Sequence, residues 1–343
     1  DNGKIVGGSY AKESLSSFIN EIKQKTDGKI IPNAEFVNYD GKKLLIFSII
    51  EYPSKPISFK GKYYKRVKGA NHLMTTDEVV NEYLRVRNKS WDMFLTEEAS
   101  LSDLDFEKII KVVQLINKRR DTKLDEDPLS FLKKYDLIQG NKITNAAHLL
   151  FSKTPLFFTE IQIGLFEKET VIKKSITIKD DLVSEVDKVM DFIMGFITKE
   201  YIITGKPQRD EKWQYPLSAI REFVINAVIH RNYQDGTHSQ FKVFKNKITL
   251  WNIGKLPNDI TIEDLYAGTE KSHPRNIKIA EIFKDAGLIE KYGSGVKRAV
   301  DEILDYGLPK PDIYQIGGGI NADIFASAPV NVPVNVPVNV PVN

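Results

Sequence analysis

Between Tyr215 and Tyr233 the chain reads YPLSAIREFVINAVIHRNY, and this segment constrains the fold more than any other. Its spacing predicts a helix, and Ile220, Phe223, Val224, Ile225, Ala227, Val228 and Ile229 make that helix apolar almost all round. A helix of this kind has to lie inside a folded domain. Glu222, Asn226 and His230 nevertheless recur at every fourth position, so at 3.6 residues per turn they share an arc of about 80°. A buried carboxylate or amide without a partner costs about 1 to 3 kcal/mol. The stripe therefore needs either hydrogen bonds from a neighbouring element or a polar ligand, and the helix alone leaves both open.

Two glycine turns follow the helix. WNIGKLP, Trp251 to Pro257, comes directly after a strand-like run, and EKYGSGVKRAVDEI, Glu290 to Ile303, places Gly293 and Gly295 at a predicted helix start. Glycine there lets backbone N–H groups and the helix dipole meet a phosphate, although ordinary turns use glycine for positive φ as well. Around these turns EIQIGLF, SITIK and SQFKVFKNKITLWNI read as strands between amphipathic helices. The expectation is an α/β or α+β domain over residues 159–326.

The front of the chain predicts a smaller α+β unit, residues 1–90. SLSSFINEIKQKT reads as a helix, KKLLIFSIIEY and GKYYKRV as strands, and TTDEVVNEYLRVR as a helix capped by Thr75 or Thr76. Trp91 to Glu98 looks like a linker. Residues 91–158 then turn helical, with Ser102 or Asp103 as a cap and QGNKIT as a turn and short strand. That order would suit a winged-helix-like module, but a plain helical connector is the simpler expectation. PVNVPVNVPVNVPVN, within residues 327–343, predicts an extended spacer, because proline at every fourth position denies a helix. The spacer and the DNGKIVGG start suggest further modules on either side.

Lys plus Arg total 49 against 46 Asp plus Glu, a net charge of +3, so any nucleic-acid argument has to be local. One such place exists. Between Glu51 and Asp77 there is no acidic residue, while Lys55, Lys60, Lys62, Lys65, Arg66 and Lys68 are interleaved with Phe59, Tyr63 and Tyr64. A basic hairpin of this kind suits phosphate contacts through Lys60, Lys62, Lys65, Arg66 and Lys68; lysines that keep an edge strand from aggregating are the alternative. The chain contains no cysteine, only 5 histidines and no H-E-x-x-H, which removes disulfides and thiolate sites and disfavours a histidine metal site. No apolar run approaches the ~18 residues of a membrane span. A soluble, cytoplasmic protein is expected.

Taken in order, the E-x-x-x-N helix, the strand ending in N-x-G, the HPRN segment and the Y-G-S-G helix start resemble the ATP-binding fold of the GHKL class, which includes gyrase, histidine kinases and MutL. The likeness is greatest to its divergent RecG-like and transcriptional-regulator subfamily, whose signature YPLSAIREFVINAVIHRNY follows. GKIVGG and KKLLIFSIIEYPSKPISFKGKYYKRVKG resemble the later part of a Schlafen-type AlbA-2 domain. The resemblance implies an α+β fold with a GHKL-like C-terminal sandwich binding ATP and Mg²⁺. It would make Asn226 the Mg²⁺ ligand and Glu222 the general base. His230, Asn252, Gly254, Arg275, Gly293 and Gly295 would line the nucleotide. The first glycine box departs from D-x-G-x-G: Asn252 stands for the adenine-binding aspartate, and Leu256 for the second glycine. No G-x-x-x-x-G-K-[ST] loop is present, so a motor helicase is not expected, and weak ATPase activity stays open. The expected role is a DNA-binding transcriptional regulator, acting as a homodimer or higher oligomer; a binding module with a degenerate pocket and a Schlafen-type ribonuclease are the alternatives.

Overall fold

The computed structural model describes residues 5, 7–8, 11–50, 52, 55–67, 69–119, 123–202, 210–257, 260–269, 274–289 and 295–326. The repeat at 327–343, Lys68 and Gly293 fall outside the described residues. The chain divides into two compact units, Asp1–Ser90 and Trp91–Asn343. Together they form a mixed α+β structure with ten α-helices among the described residues.

In the first unit α1 (Lys12–Lys25) precedes a hairpin of β1 (Asn33–Tyr39) and β2 (Lys42–Ser48). A three-stranded sheet of β3 (Ser58–Phe59), β4 (Lys62–Val67) and β5 (Ala70–Leu73) follows, then α2 (Thr76–Val86). Asp40-Gly41 and Lys60-Gly61 turn the two hairpins with positive φ at both residues, the mirror-image turn that matches strand twist. Phe18 of α1 packs edge-on against Phe47 of β2, with ring centroids 6.2 Å apart. Thr75 is the cap of α2, in a reciprocal box with Glu78.

The second unit begins with a 3₁₀ turn, Trp91–Met93, and β6 (Leu95–Ser100). The stretch expected to be a linker is thus structured: β6 pairs with β8, and the fully buried Asp92 accepts a hydrogen bond from Ile279 N at 3.0 Å. Next come α3 (Phe106–Asn117), α4 (Pro128–Lys134), β7 (Ile138–Gln139), β8 (Lys142–Thr144) and α5 (Asn145–Phe151), with the strands ordered β6-β8-β7. Asp105 caps α3, whereas Asp103 closes the preceding turn with Ser100 and Leu104 between them goes into the core.

The rest of the unit runs β9 (Ile161–Lys168), β10 (Val171–Ile178), α6 (Leu182–Met194), β11 (Lys199–Ile202), β12 (Asp210–Trp213), α7 (Leu217–His230), β13 (Ser239–Val243), β14 (Lys247–Ile253), α8 (Ile262–Ala267), α9 (Ile277–Asp285), α10 (Gly295–Asp305), β15 (Asp312–Ile316) and β16 (Gly319–Phe325). Six strands form one sheet in the order β10-β9-β13-β14-β16-β15. The β9–β13 pair is parallel and the other pairs are antiparallel. Helix α7 packs against β14, α6 and α10. Ile163, Phe241, Ile248 and Leu250 from the sheet share one core with Ile220, Val224 and Val228 of α7. Ile109, Phe131, Leu132 and Phe151 of residues 91–158 belong to that same core, and Tyr135 OH donates to Asp285 of α9 at 2.6 Å. The helical stretch ahead of the sheet is thereby packed into it. Among the described residues no helix is long and apolar enough to cross a membrane.

Candidate functional site

Helix α7 starts behind Pro216, whose fixed φ suits a helix entry. It buries Ala219, Ile220, Phe223, Val224, Ile225, Val228 and Ile229, which leaves the polar arc as its half-open side. Asn226 Nδ2 donates to Glu222 O at 2.8 Å and to Glu222 Oε1 at 3.0 Å. Gly295, the first residue of α10, lies directly against this carboxylate: a Cβ built there would come within 1.8 Å of Oε1. The lack of a side chain at 295 is what lets the carboxylate come this close. Glu222 Oε2 stands 4.0 Å from Arg298 Nη2, one turn into α10. Glu222, Asn226 and Gly295 are therefore brought together, while Gly293 lies outside the described residues.

The other predicted residues gather about 12 Å further along α7, eight residues at 1.5 Å each. Arg275 Nε donates to His230 O at 3.0 Å and its Nη2 to Lys255 O at 2.6 Å. Asn276 Nδ2 donates to Ile229 O and Arg231 O at 2.8 and 2.9 Å. These bonds satisfy carbonyls at the helix end that have no partner within α7. Gly254 has φ 125°, and a Cβ there would meet Arg275 and the His230 carbonyl at 3.2–3.3 Å. Arg275 and Gly254 thus knit the end of α7 to the turn after β14. Asn252 is buried, with Oδ1 accepting from Ser239 Oγ at 2.7 Å. At His230, desolvation of the ring and then the nearby Arg275 guanidinium push the imidazole pKa down. The residue is exposed at one side, and hydration of the charged form there opposes this depression.

Sequence reasoning missed Arg231 and Glu185. Arg231 is 1% exposed and donates to the carbonyls of Thr159, Glu160 and Thr237, and its guanidinium lies 5.4 Å from the Tyr233 ring centroid. Glu185 of α6 is 1% exposed, and burial pushes its carboxyl up to about 8 against the pull of Arg231. The signal for Arg231 was its place in HRNY, where a charged residue follows an apolar helix; nothing local marked its partner on α6.

On the first unit Lys60 sits at the β3–β4 tip, and Lys62, Tyr64 and Arg66 form an exposed row along β4. Arg66 Nη1 donates to Asn71 Oδ1 at 3.0 Å. Lys65 points to the other face and pairs with Glu78 of α2. The run is acid-free in sequence, but the fold supplies an acid to Lys65.

A magnesium ion commonly takes only one or two protein oxygens beside phosphate and water. Asn226 fits that role, since its nitrogen is committed to Glu222 and its oxygen, on the opposite branch of the planar amide, is turned away. Among the described residues there is no group of three or more His, Asp or Glu that could hold a metal ion by itself.

Residues 236–323 match the family described as "Putative ATP-dependent DNA helicase recG C-terminal" (HATPase_c_4), a match that starts after α7. Residues 1–75 match the Schlafen AlbA_2 family. UvrABC system protein C of Methanococcus maripaludis is 23% identical over 294 residues, covering 75% of this chain and 53% of that protein. The chain thus spans about half the length of that relative. The crystal structure of the DIP2311 protein from Corynebacterium diphtheriae superimposes with a TM-score of 0.57 at 18% identity, over 96% of this chain and 65% of that one, and shares its fold. The chain therefore joins a Schlafen AlbA_2 segment to a HATPase-type domain of the RecG C-terminal kind.

Proposed function

We propose that this chain is a DNA-associated regulator whose HATPase-type domain binds ATP with Mg²⁺ on the face shared by α7 and α10. The observation that carries the reading is the Glu222–Asn226 pair held against Gly295. An amide oxygen for the metal and a side-chain-free helix start for phosphate stand side by side there. Bound Mg²⁺ would screen the charge of the triphosphate. Asn226 holds the ion, Arg298 adds positive charge beside Glu222, and His230 and the buried Asn252 shape the far end.

DNA association draws on the exposed Lys60, Lys62 and Arg66 row with Tyr64, which suits contacts to a phosphate backbone. The names of the matching families and of the UvrC relative point the same way. A transcriptional role, assembly into a homodimer or higher oligomer, and a cytoplasmic setting complete the proposal. We assign residues 91–158 to packing rather than to DNA, since Asp125, Glu126 and Asp127 stand at the start of α4 and repel phosphate.

Calorimetric titration with a non-hydrolysable ATP analogue and Mg²⁺ tests the reading. Binding to the unaltered protein, weakened at least about tenfold in Asn226→Ala, is the expected result; no binding, or equal binding by the variant, would overturn it. A second reading, a protein-binding module with a degenerate pocket, is favoured by the Ser239–Asn252 bond, which takes one of the two acceptor sites on the oxygen that adenine would need. On that reading Asn226→Ala lowers stability alone.

A further inference from the structure

We infer that Glu222 is a positioning residue which fixes the side-chain amide of Asn226, and that Gly295 exists to let it do so. The inference rests on the nucleotide reading only for what the fixed amide oxygen would hold. Its geometric basis is independent of any ligand.

Asn226 Nδ2 lies 2.8 Å from one oxygen acceptor, the Glu222 carbonyl, and 3.0 Å from another, Glu222 Oε1. Neither acceptor can donate, so the nitrogen has to face them and Oδ1 has to face the other way. The terminal torsion of an asparagine is otherwise broad and roughly two-fold. Without Oε1 the amide would still have the backbone carbonyl, but with one acceptor instead of two, one of them charged. Glu222 thus removes most of the rotational freedom that a ligand would otherwise have to remove on binding.

The carboxylate is itself held. Oε2 is turned toward Arg298 at 4.0 Å, and Oε1 has Asn226 on one side and the Gly295 backbone on the other. Held in this way, Glu222 is arranged to orient its neighbour. An alanine at 295 would put its Cβ within 1.8 Å of Oε1. Oε1 is the far end of a flexible side chain, so the carboxylate would swing away while α10 stays in place. Gly295→Ala therefore displaces the Glu222 carboxylate without removing it.

The test compares Glu222→Gln, Glu222→Ala and Gly295→Ala. The first readout is the Asn226 side-chain ¹⁵N–¹H resonance pair of the ligand-free protein, assigned by its loss in Asn226→Ala. The second is the Mg²⁺ concentration at half-saturation with the ATP analogue present. Glutamine keeps an oxygen acceptor, so Glu222→Gln should retain the resonances and a midpoint within about threefold of the unaltered protein. Glu222→Ala and Gly295→Ala should both lose the resonance positions and raise the midpoint about tenfold, the usual cost of losing a residue that orients a metal ligand. Affinity for the analogue without Mg²⁺ should stay within about twofold. Loss of the midpoint in Glu222→Gln equal to that in Glu222→Ala would overturn the inference, because charge and not orientation would then be what matters. Unchanged resonances in Gly295→Ala would overturn it too. If Gly295→Ala does not fold, the Glu222 pair decides. Failure of the unaltered protein to bind the analogue would sink the nucleotide reading, while the resonances would still decide the positioning.

Discussion

The two units treat their apolar residues in opposite ways. Between Leu104 and Ile324, Ile109, Phe131, Phe151, Ile220, Phe241 and Phe283 are all 2% exposed or less and belong to one core. From residues 5 to 90 no described hydrophobic side chain is buried to that degree, and Ile31, Ile46, Phe47, Ile50, Tyr64 and Leu73 are exposed. LLIFSII in and after β2 is the most continuous apolar run of the chain, the pattern of a strand covered on both faces. In the fold, α1 reaches Phe47, but Ile46, Phe47, Ile49 and Ile50 stay accessible. In contrast, the alternating KITLWNI of β14 is buried at Ile248, Leu250, Asn252 and Ile253. Hydrophobic content alone does not place a strand in a core; neighbours do.

This contrast can be broken most forcefully at a pair of phenylalanines. Phe283→Ala, at a site with no exposure, should cost about 3 to 5 kcal/mol in urea unfolding. Phe47→Ala, at a site 36% exposed, should cost about 1 kcal/mol or less. Equal losses would mean that the first unit draws far more on its apolar residues than its exposure implies.

Next in size is pH. Glu185 has a folded pKa raised to about 8 from an ordinary 4.5, so it favours the folded state when neutral. Its contribution is complete below about 4.5 and is lost as pH rises through about 8, by no more than about 1.4 kcal/mol for each pH unit crossed. Unfolding followed at pH 5.5 and 8.5 should show the second unit weakened by a few kcal/mol at the higher pH, with Glu185→Gln flattening the difference. A second unit equally stable at both would refute the buried neutral carboxyl.

The smallest effects belong to the first unit's surface. Lys62→Ala and Arg66→Ala should each lower the slope of log affinity for duplex DNA against log salt by about one, with stability within about 0.5 kcal/mol. Lys65→Ala should change the slope less, since Glu78 already pairs with it. A Lys65 effect equal to the others would show that the Glu78 pair opens on DNA.

Much of the candidate site was readable before folding. The i+4 spacing of Glu222 and Asn226 put them on one face, and the glycine run marked where a helix start would approach them. His230, Gly254 and Arg275 were readable as a group but not in their roles. Arg275 bonds two backbone carbonyls, and Gly254 is glycine because its φ is 125° and Arg275 lies beside it. Such roles depend on which carbonyls a helix end leaves without partners, and a motif does not carry that information.

By itself the sequence determined the local pieces: a helix too apolar to be exposed, a basic hairpin around Lys60-Gly61, and positive residues interleaved with tyrosines along β4. Those follow from periodicity and backbone preference, which are properties of neighbours in the chain. Only the tertiary structure decided that Glu78 meets Lys65, that Asp92 caps α9 across 187 residues, that Glu185 is buried near Arg231, and that Gly295 rests on Glu222. Each is a contact between distant parts of the chain. In each, pairing has to offset the cost of taking charges and dipoles out of water, and no local pattern records where the two partners will meet.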